Sequence, residues 1–332
     1  MTTTNQVEPV RVTPALPALP RFEKQKLFTI SLRCGRLANR LIIFANFVAL
    51  AEEQGHNLIN FTFHSYSELF EGTQQNVYCR YPRPKHRSWM DVVPGVAAFL
   101  RKTRIPYHIT RYTALLNERH PIFGDKVATL HEFPGADYTL LEGAAYQEKI
   151  RPAKIVFVYG WWLRSPALMK KHGAKIRAYF RPVEKFVEKF VNAALAVIEP
   201  LRRNADILIG VHVRRGDYSY WKGGKYYFEA ARYAEWMRDL VAQFPGRKVA
   251  FVFCSDEPRR LDEFPGLTVG LGPDSPVSDS FALAQCDYIL GPKSTFTQWA
   301  SFYGNKPLLH LEGSDHVVKI EDFRICYLDW GS

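Results

Sequence analysis

Residues 210–221 read GVHVRRGDYSYW, and two arginines, Arg214 and Arg215, stand side by side in them. Neighbouring guanidinium groups repel unless something negative sits between or above them. The run before them, 206–213, is apolar and reads as a strand. Side chains alternate across a strand, so Ile207, Ile209, Val211 and Val213 share one face, and Leu208, Gly210, His212 and Arg214 the other. Arg215 points away unless the chain has already begun the turn that Gly216 permits. A guanidinium is a planar fork that grips phosphate oxygens in pairs and never loses its charge, so a diphosphate suits this place. Asp217 either anchors an arginine or takes a proton. A plain surface ion pair of Arg215 with Asp217 is the bland alternative, and the embedded Arg-Gly-Asp reads as incidental.

Two further stretches carry chemistry. DYILGPKSTFTQW (287–299) runs from a strand into a helix start rich in hydroxyls, Ser294, Thr295 and Thr297. Free amides and hydroxyls at a helix N-terminus bind anions, although simple capping by Ser294 would explain the same residues. GRLANR (35–40) is a strand-to-helix turn that matches neither the P-loop nor the dinucleotide glycine pattern. No two aspartates stand at i and i+2, the pair with which many metal-dependent sugar transferases hold a cation on a nucleotide diphosphate. Positive charge for a diphosphate would then come from arginines, with no metal.

The elements that must position these residues follow from periodicity. KLFTIS (26–31), NLINF (57–61) and KIVFVYGWW (154–162) read as strands. Residues 35–56 read as a helix ending at Gly55. DVVPGVAAFLRK suggests a helix and IPYHITRY a strand, and one long helix is expected over 182–203. Beyond it, strands at 206–213, 248–255, 267–270, 287–291 and 306–311 alternate with helices at 226–244, 276–286 and 294–304. That alternation predicts a parallel sheet with ligands at the strand C-terminal ends.

The formal net charge of +11 over 332 residues favours phosphate-bearing partners, but no block of like charges marks a basic tail. The basic, proline-broken loop 80–87 would suit an anionic acceptor or a peripheral membrane contact. Five scattered cysteines without a C-x-x-C pair fit a reducing compartment. No apolar run is long enough to span a bilayer, and the first residues lack the apolar core of a signal peptide. The expected address is cytoplasmic, with a disordered lead over 1–25.

Together the blocks resemble the fucosyltransferase superfamily, and most of all glycosyltransferase family 11, the α-1,2-fucosyltransferases. GRLANRLIIFANFVALA resembles that family's opening pattern, and HVRRGDY stands intact at 212–218. FCSD (253–256) and DSFALAQCDYILGPKSTFTQWASF resemble its later blocks, with Ala38, Arg40, Pro292-Lys293 and Thr297-Gln298 as departures. The resemblance covers about 30–55 and 205–310; no motif is matched over 64–200. It implies a GT-B fold, two Rossmann-like domains facing a cleft. Residues 26–180 would form the acceptor side and 181–332 the GDP-sugar side. It implies an inverting, metal-independent transfer of L-fucose from GDP-β-L-fucose to a glycan or lipid-linked oligosaccharide hydroxyl, with an α-1,2 linkage to galactose. Arg214 would bind the diphosphate with Arg215 assisting, and His212 and Asp279 would contact the guanine. Ser294, Thr295 and Thr297 would hold phosphate oxygens, and Gly35 and Asn39 would lie near the sugar. No base is evident; Asp217 adjoins the site, while Glu142 and Asp137 are unplaced. The alternatives are another linkage (α-1,6 or O-linked), another GDP-sugar, a silent binding module, or a basic nucleic-acid-binding protein. The last lacks any RNP, helix-turn-helix or finger pattern.

Overall fold

The computed structural model describes residues 25–132 and 139–327. The N-terminal half runs β1 (Leu27–Ile30), α1 (Leu37–Gln54), β2 (Asn57–Ile59), a 3-10 stretch (Phe61–Leu69), α2 (Trp89–Val92), α3 (Val96–Thr103) and α4 (Ile105–Arg119). It continues through β3 (Val127–Leu130), β4 (Thr139–Leu140), α5 (Ala144–Ile150), β5 (Ile155–Val158), β6 (Leu163–Arg164) and α6 (Pro166–Tyr179). Its sheet has the order β2-β1-β5-β3 with all pairs parallel. α1 is apolar around its whole circumference from Leu41 to Ala51, and it is accordingly buried there on every side. Gly55 closes it in the left-handed conformation, φ 69°.

The C-terminal half runs α7 (Glu184–Phe186), α8 (Asn192–Arg202), β7 (Ile207–Val213), α9 (Ala230–Ala242), β8 (Val249–Ser255) and β9 (Thr268–Leu271). α10 (Pro276–Gln285), β10 (Tyr288–Pro292), α11 (Thr295–Gly304), β11 (Pro307–Leu311) and β12 (Arg324–Ile325) complete it. The sheet order is β12-β11-β10-β7-β8-β9, parallel except for β12 against β11. The fold is α/β and GT-B-like, with two Rossmann-like units. β7 is buried along its whole length and alternates as its sequence dictates. Ile207, Ile209, Val211 and Val213 join the core under α9, while Leu208 joins the core under α8 and α10.

Three sequence expectations are corrected. IPYHITRY is helical, the first half of α4. Its apolar residues recur at a spacing that suits a strand over a short window, but Pro106 in the first turn is preset for a helix. The segment 182–203 is interrupted by a π-helical turn at Val187–Val191, and Pro200 lies inside α8. The helix expected from residue 226 begins at Ala230. The expected lead over 1–25 lies outside the described residues apart from Gln25.

The two cores are not independent. Ala194 and Ile198 of α8 pack with the C-terminal sheet. Trp299 and Phe302 of α11 pack instead into the N-terminal core. Phe44, Phe180 and Trp299 form a chain of edge-to-face rings with centroids 5.3 and 5.5 Å apart. Each such pair adds about 0.5–1.5 kcal/mol beyond its buried area. On its other side α11 packs tightly on α10, where Gly304 presses its backbone on Ala284 and a Cβ would collide with the Ala284 carbonyl. Gly304→Ala is expected to cost about 1–3 kcal/mol through overpacking, seen as a lower midpoint in a denaturation curve.

Candidate active site

The β7 C-terminal end leads directly into the paired arginines, and each is neutralised separately. Arg214 is chelated by Asp217, Nε to Oδ1 and Nη2 to Oδ2 both at 2.8 Å. Its guanidinium also lies 4.9 Å from the Tyr218 ring centre. Burial works against the Arg214 charge, but Asp217 outweighs it and raises the pKa overall. The same bond holds the Asp217 carboxyl below its usual range. Arg215 turns to the other side. It pairs with Glu229 at 2.6 Å and Glu257 at 3.3 Å, and its guanidinium donates to the Tyr227 hydroxyl. The expected alternative pair, Arg215 with Asp217, is therefore not the one formed. Asp256, of the FCSD block, accepts the Arg215 backbone N–H at 2.8 Å and fixes the start of the turn.

The second stretch meets the first here. The Tyr218 hydroxyl donates to the Lys293 carbonyl at 2.7 Å, which ties the arginine turn to the start of α11. Ser294 caps α11 by accepting from the Phe296 N–H at 3.1 Å. The Thr297 hydroxyl donates to the Ser294 carbonyl at 2.8 Å and touches His310 Nε2 at 3.2 Å. Those two hydroxyls are thus engaged in the frame, while Thr295 is partly exposed at the first turn. β10 approaches β7 so closely that a Cβ on Gly291 would stand 2.9 Å from the His212 carbonyl.

His212 is buried against Phe296, ring centroids 4.7 Å apart, and neither ring nitrogen has a hydrogen-bond partner. Burial first, and then Arg214 and His310, push its pKa down to about 3. The ring is therefore neutral in ordinary buffers and offers one donor and one acceptor. Asp279, in the first turn of α10, is also buried, with Oδ1 unpartnered. That oxygen lies 3.0 Å from where a Cβ on Gly272 would be, beside Cys254 at the end of β8. Burial raises its carboxyl to about 7.

The N-terminal domain contributes the loop between β1 and α1. Gly35 adopts φ 46°, and a Cβ there would strike the Asn39 side chain, so the two expected residues are in contact. Arg40 is a brace. It donates to the Gly35 carbonyl at 3.1 Å, to Ser65 Oγ at 2.8 Å and to the Thr62 carbonyl at 3.1 Å. Arg36, at the uncapped N-terminus of α1, lies close enough for its charge to act on Asp217. The two strand-end loops therefore face each other across the cleft.

Sequence reasoning missed a cluster at the ends of β3, β5 and β6. Glu132 Oε1 accepts the Trp161 N–H, and the Trp162 N–H at 3.0 Å. Arg164 is fully buried with its guanidinium 4.4 Å from the Trp161 ring centre. Its Nε and Nη2 have no hydrogen-bond partner, and burial lowers its pKa to about 9. Glu132, Arg164 and Arg40 all act on Cys34 in the β1–α1 loop. The usable signal was positional: charged residues immediately after a short apolar strand. Glu142 accepts from the Ser165 hydroxyl, and burial raises its pKa. Asp137 lies outside the described residues. Among the described residues no group of three or more His, Cys, Asp or Glu is arranged to hold a metal ion.

Asp279 sets a pH dependence whose sign follows from its raised pKa. Between its unfolded value of 3.8 and about 7, the folded chain keeps a proton that the unfolded chain has lost. Stability from this group therefore declines as pH rises through that window. Asp279→Asn is expected to unfold at a higher temperature than the parent at pH 8, with the gap closing by pH 4.5 in thermal melts.

A search of curated protein sequences finds no match. Among solved structures, a point mutant of Arabidopsis thaliana FUT1 in complex with GDP aligns with 91% of this chain and 74% of its own, at 12% identity and a TM-score of 0.51. At that identity the likeness speaks to the fold. The sequence model of glycosyl transferase family 11 matches residues 130–310, more than half of the chain and a span that includes both arginines and the start of α11. The chain belongs to glycosyl transferase family 11.

Proposed function

We propose that this glycosyltransferase moves L-fucose from GDP-β-L-fucose to a hydroxyl of a glycan or lipid-linked oligosaccharide, with inversion and without a metal, forming an α-1,2 linkage to galactose. The observation that carries the donor side is the Arg214–Asp217 chelate at the end of β7, tied to the start of α11 by Tyr218. A solved structure of similar fold holds GDP, which supports a guanine nucleotide as the leaving group.

In the reaction the acceptor oxygen attacks the anomeric carbon. The bond from that carbon to the β-phosphate oxygen breaks, and GDP leaves with the electron pair. Arg214 and the first-turn amides of α11 meet the charge that develops on the diphosphate, and their geometry is set before the reaction begins. Arg215 could join them only by releasing Glu229 or Glu257. The guanine edge offers N–H donors to the unpartnered oxygen of Asp279, and neutral His212 supplies one further donor and acceptor. Asp217 is held ionised by Arg214, which suits an anchor and makes it a weak base. We assign the proton to Glu132, a carboxylate held by backbone N–H groups on the opposite side of the cleft.

Arg214→Ala is expected to lower kcat by about 10²–10³-fold while the circular dichroism spectrum and unfolding midpoint stay close to the parent. Thermal shifts should rank GDP above UDP and ADP, and GDP-fucose above GDP-mannose. EDTA should leave turnover unchanged, and strong inhibition by it would contradict the metal-free reading. Glu132→Gln is expected to reduce kcat with GDP affinity preserved; unaltered kcat would remove it from the mechanism.

A further inference from the structure

Ten of the seventeen large apolar side chains left exposed among the described residues fall between 89 and 123. They are not scattered. Ile105, Ile109, Tyr112 and Leu116 are 42, 61, 60 and 53% exposed, and their spacing of four, three and four residues lines them along one face of α4. The opposite face carries Tyr107, Ala114 and Asn117, which are buried. α4 therefore uses its polar and small residues against the protein and turns its apolar stripe outward. Phe99 of α3 and Trp89 of α2 are exposed beside it in sequence, as are Ile122 and Phe123 after it.

The segment that carries this stripe is one-sided in charge. Residues 80–126 hold ten Lys and Arg against three Asp and Glu, a net of +7 in a chain whose total is +11. Arg83, Lys85, Arg87, Lys102, Arg104 and Arg119 are all exposed. An apolar stripe bordered by cations is the chemistry of a helix lying in the interface of an anionic bilayer, apolar face inward and basic groups among the headgroups. The same charge opposes self-association through this face, since a second copy would bring a like-charged segment against it. No helix among the described residues is long and apolar enough to cross a membrane, so the contact lies on the surface.

The direction of α4 gives the surface a use. Asn117 donates to the Val127 carbonyl at 3.3 Å, where β3 begins, and Thr129 donates to the Ala114 carbonyl at 3.2 Å. Arg111 bonds Tyr159, just past the end of β5, and the charge of Arg104 acts on Arg40 in the brace of the β1–α1 loop. α4 thus climbs the flank of the N-terminal sheet, and its first turn stands at the rim of the cleft. We propose that α2–α4 dock this protein on an anionic phospholipid surface, with the acceptor side of the cleft held next to the lipid headgroups. This deepens the reading of a lipid-linked acceptor but does not depend on the identity of the donor.

The test is co-sedimentation of the full chain with vesicles of phosphatidylcholine alone or with phosphatidylglycerol added, alongside the double variant Ile109→Glu/Leu116→Glu. Those positions are exposed, so the variant should match the parent in unfolding midpoint and in GDP-induced thermal shift. The parent should pellet with phosphatidylglycerol vesicles and stay in the supernatant with phosphatidylcholine. The double variant should bind roughly tenfold more weakly or worse. Neutralising Lys102 and Arg104 at the junction of α3 and α4 together with Arg119 in the last turn of α4 should weaken binding and flatten its salt dependence. Three results would overturn the proposal: equal partition onto both lipids, equal partition of parent and double variant, or a parent dimer in sedimentation velocity that the double variant abolishes. A lost GDP shift in the parent would instead contradict the donor reading and leave the lipid result standing.

Discussion

Two cations one residue apart must each find a counter-charge, and the construction of the C-terminal site follows from how that is solved. Arg214 takes Asp217 within its own turn, and Arg215 takes Glu229 and Glu257 from elsewhere in the domain. The backbone between them is held by Asp256. With its own carboxylate already in place, Arg214 keeps a defined direction without a ligand. On the proposed function, an incoming diphosphate would meet an arginine whose orientation has been fixed by folding, with little ordering left for the moment of binding. Tyr218 extends the arrangement to the start of α11, so that turn and helix move as one piece.

Across the cleft the physical means are different. The N-terminal loop is short of carboxylates and rich in cations, with Arg33, Arg36 and Arg40 in sequence. It is held by a glycine in a left-handed conformation and by a buried arginine that donates to carbonyls. Arg40, one of the departures from the family's opening pattern, has a role that is legible in the structure: it joins the loop to the 3-10 stretch behind it.

Much of the C-terminal half was legible in sequence because its strands are buried on both faces and alternate with amphipathic helices, and the order of the blocks placed the arginines at a strand end. Alternation also sorted His212 from its neighbours, since the period of a strand is fixed by the backbone. The failures have physical causes. α4 was misread because Ile105, Tyr107 and Ile109 alternate as a strand's residues would, and a window that short does not separate the two periods. The π-turn at Val187–Val191 leaves no compositional trace. Glu132 follows β3 and Arg164 closes β6, and what brings them together is that β5 lies beside β3 and leads directly into β6, which a one-dimensional pattern does not contain. That Asp217 is bonded to Arg214 is a three-dimensional fact the sequence leaves open, because anchor and base require the same residue in the same place.

α11 begins beside the paired arginines and buries Trp299 and Phe302 in the opposite domain. A hinge that opened the cleft widely would have to draw those two rings out of an apolar core into water. The molecule thus carries a built-in resistance to gaping, and the C-terminal domain cut away on its own would present a raw aromatic surface. The practical consequence is for anyone seeking a minimal nucleotide-binding fragment: the boundary drawn between the halves along the chain is not a boundary along which the protein can be divided.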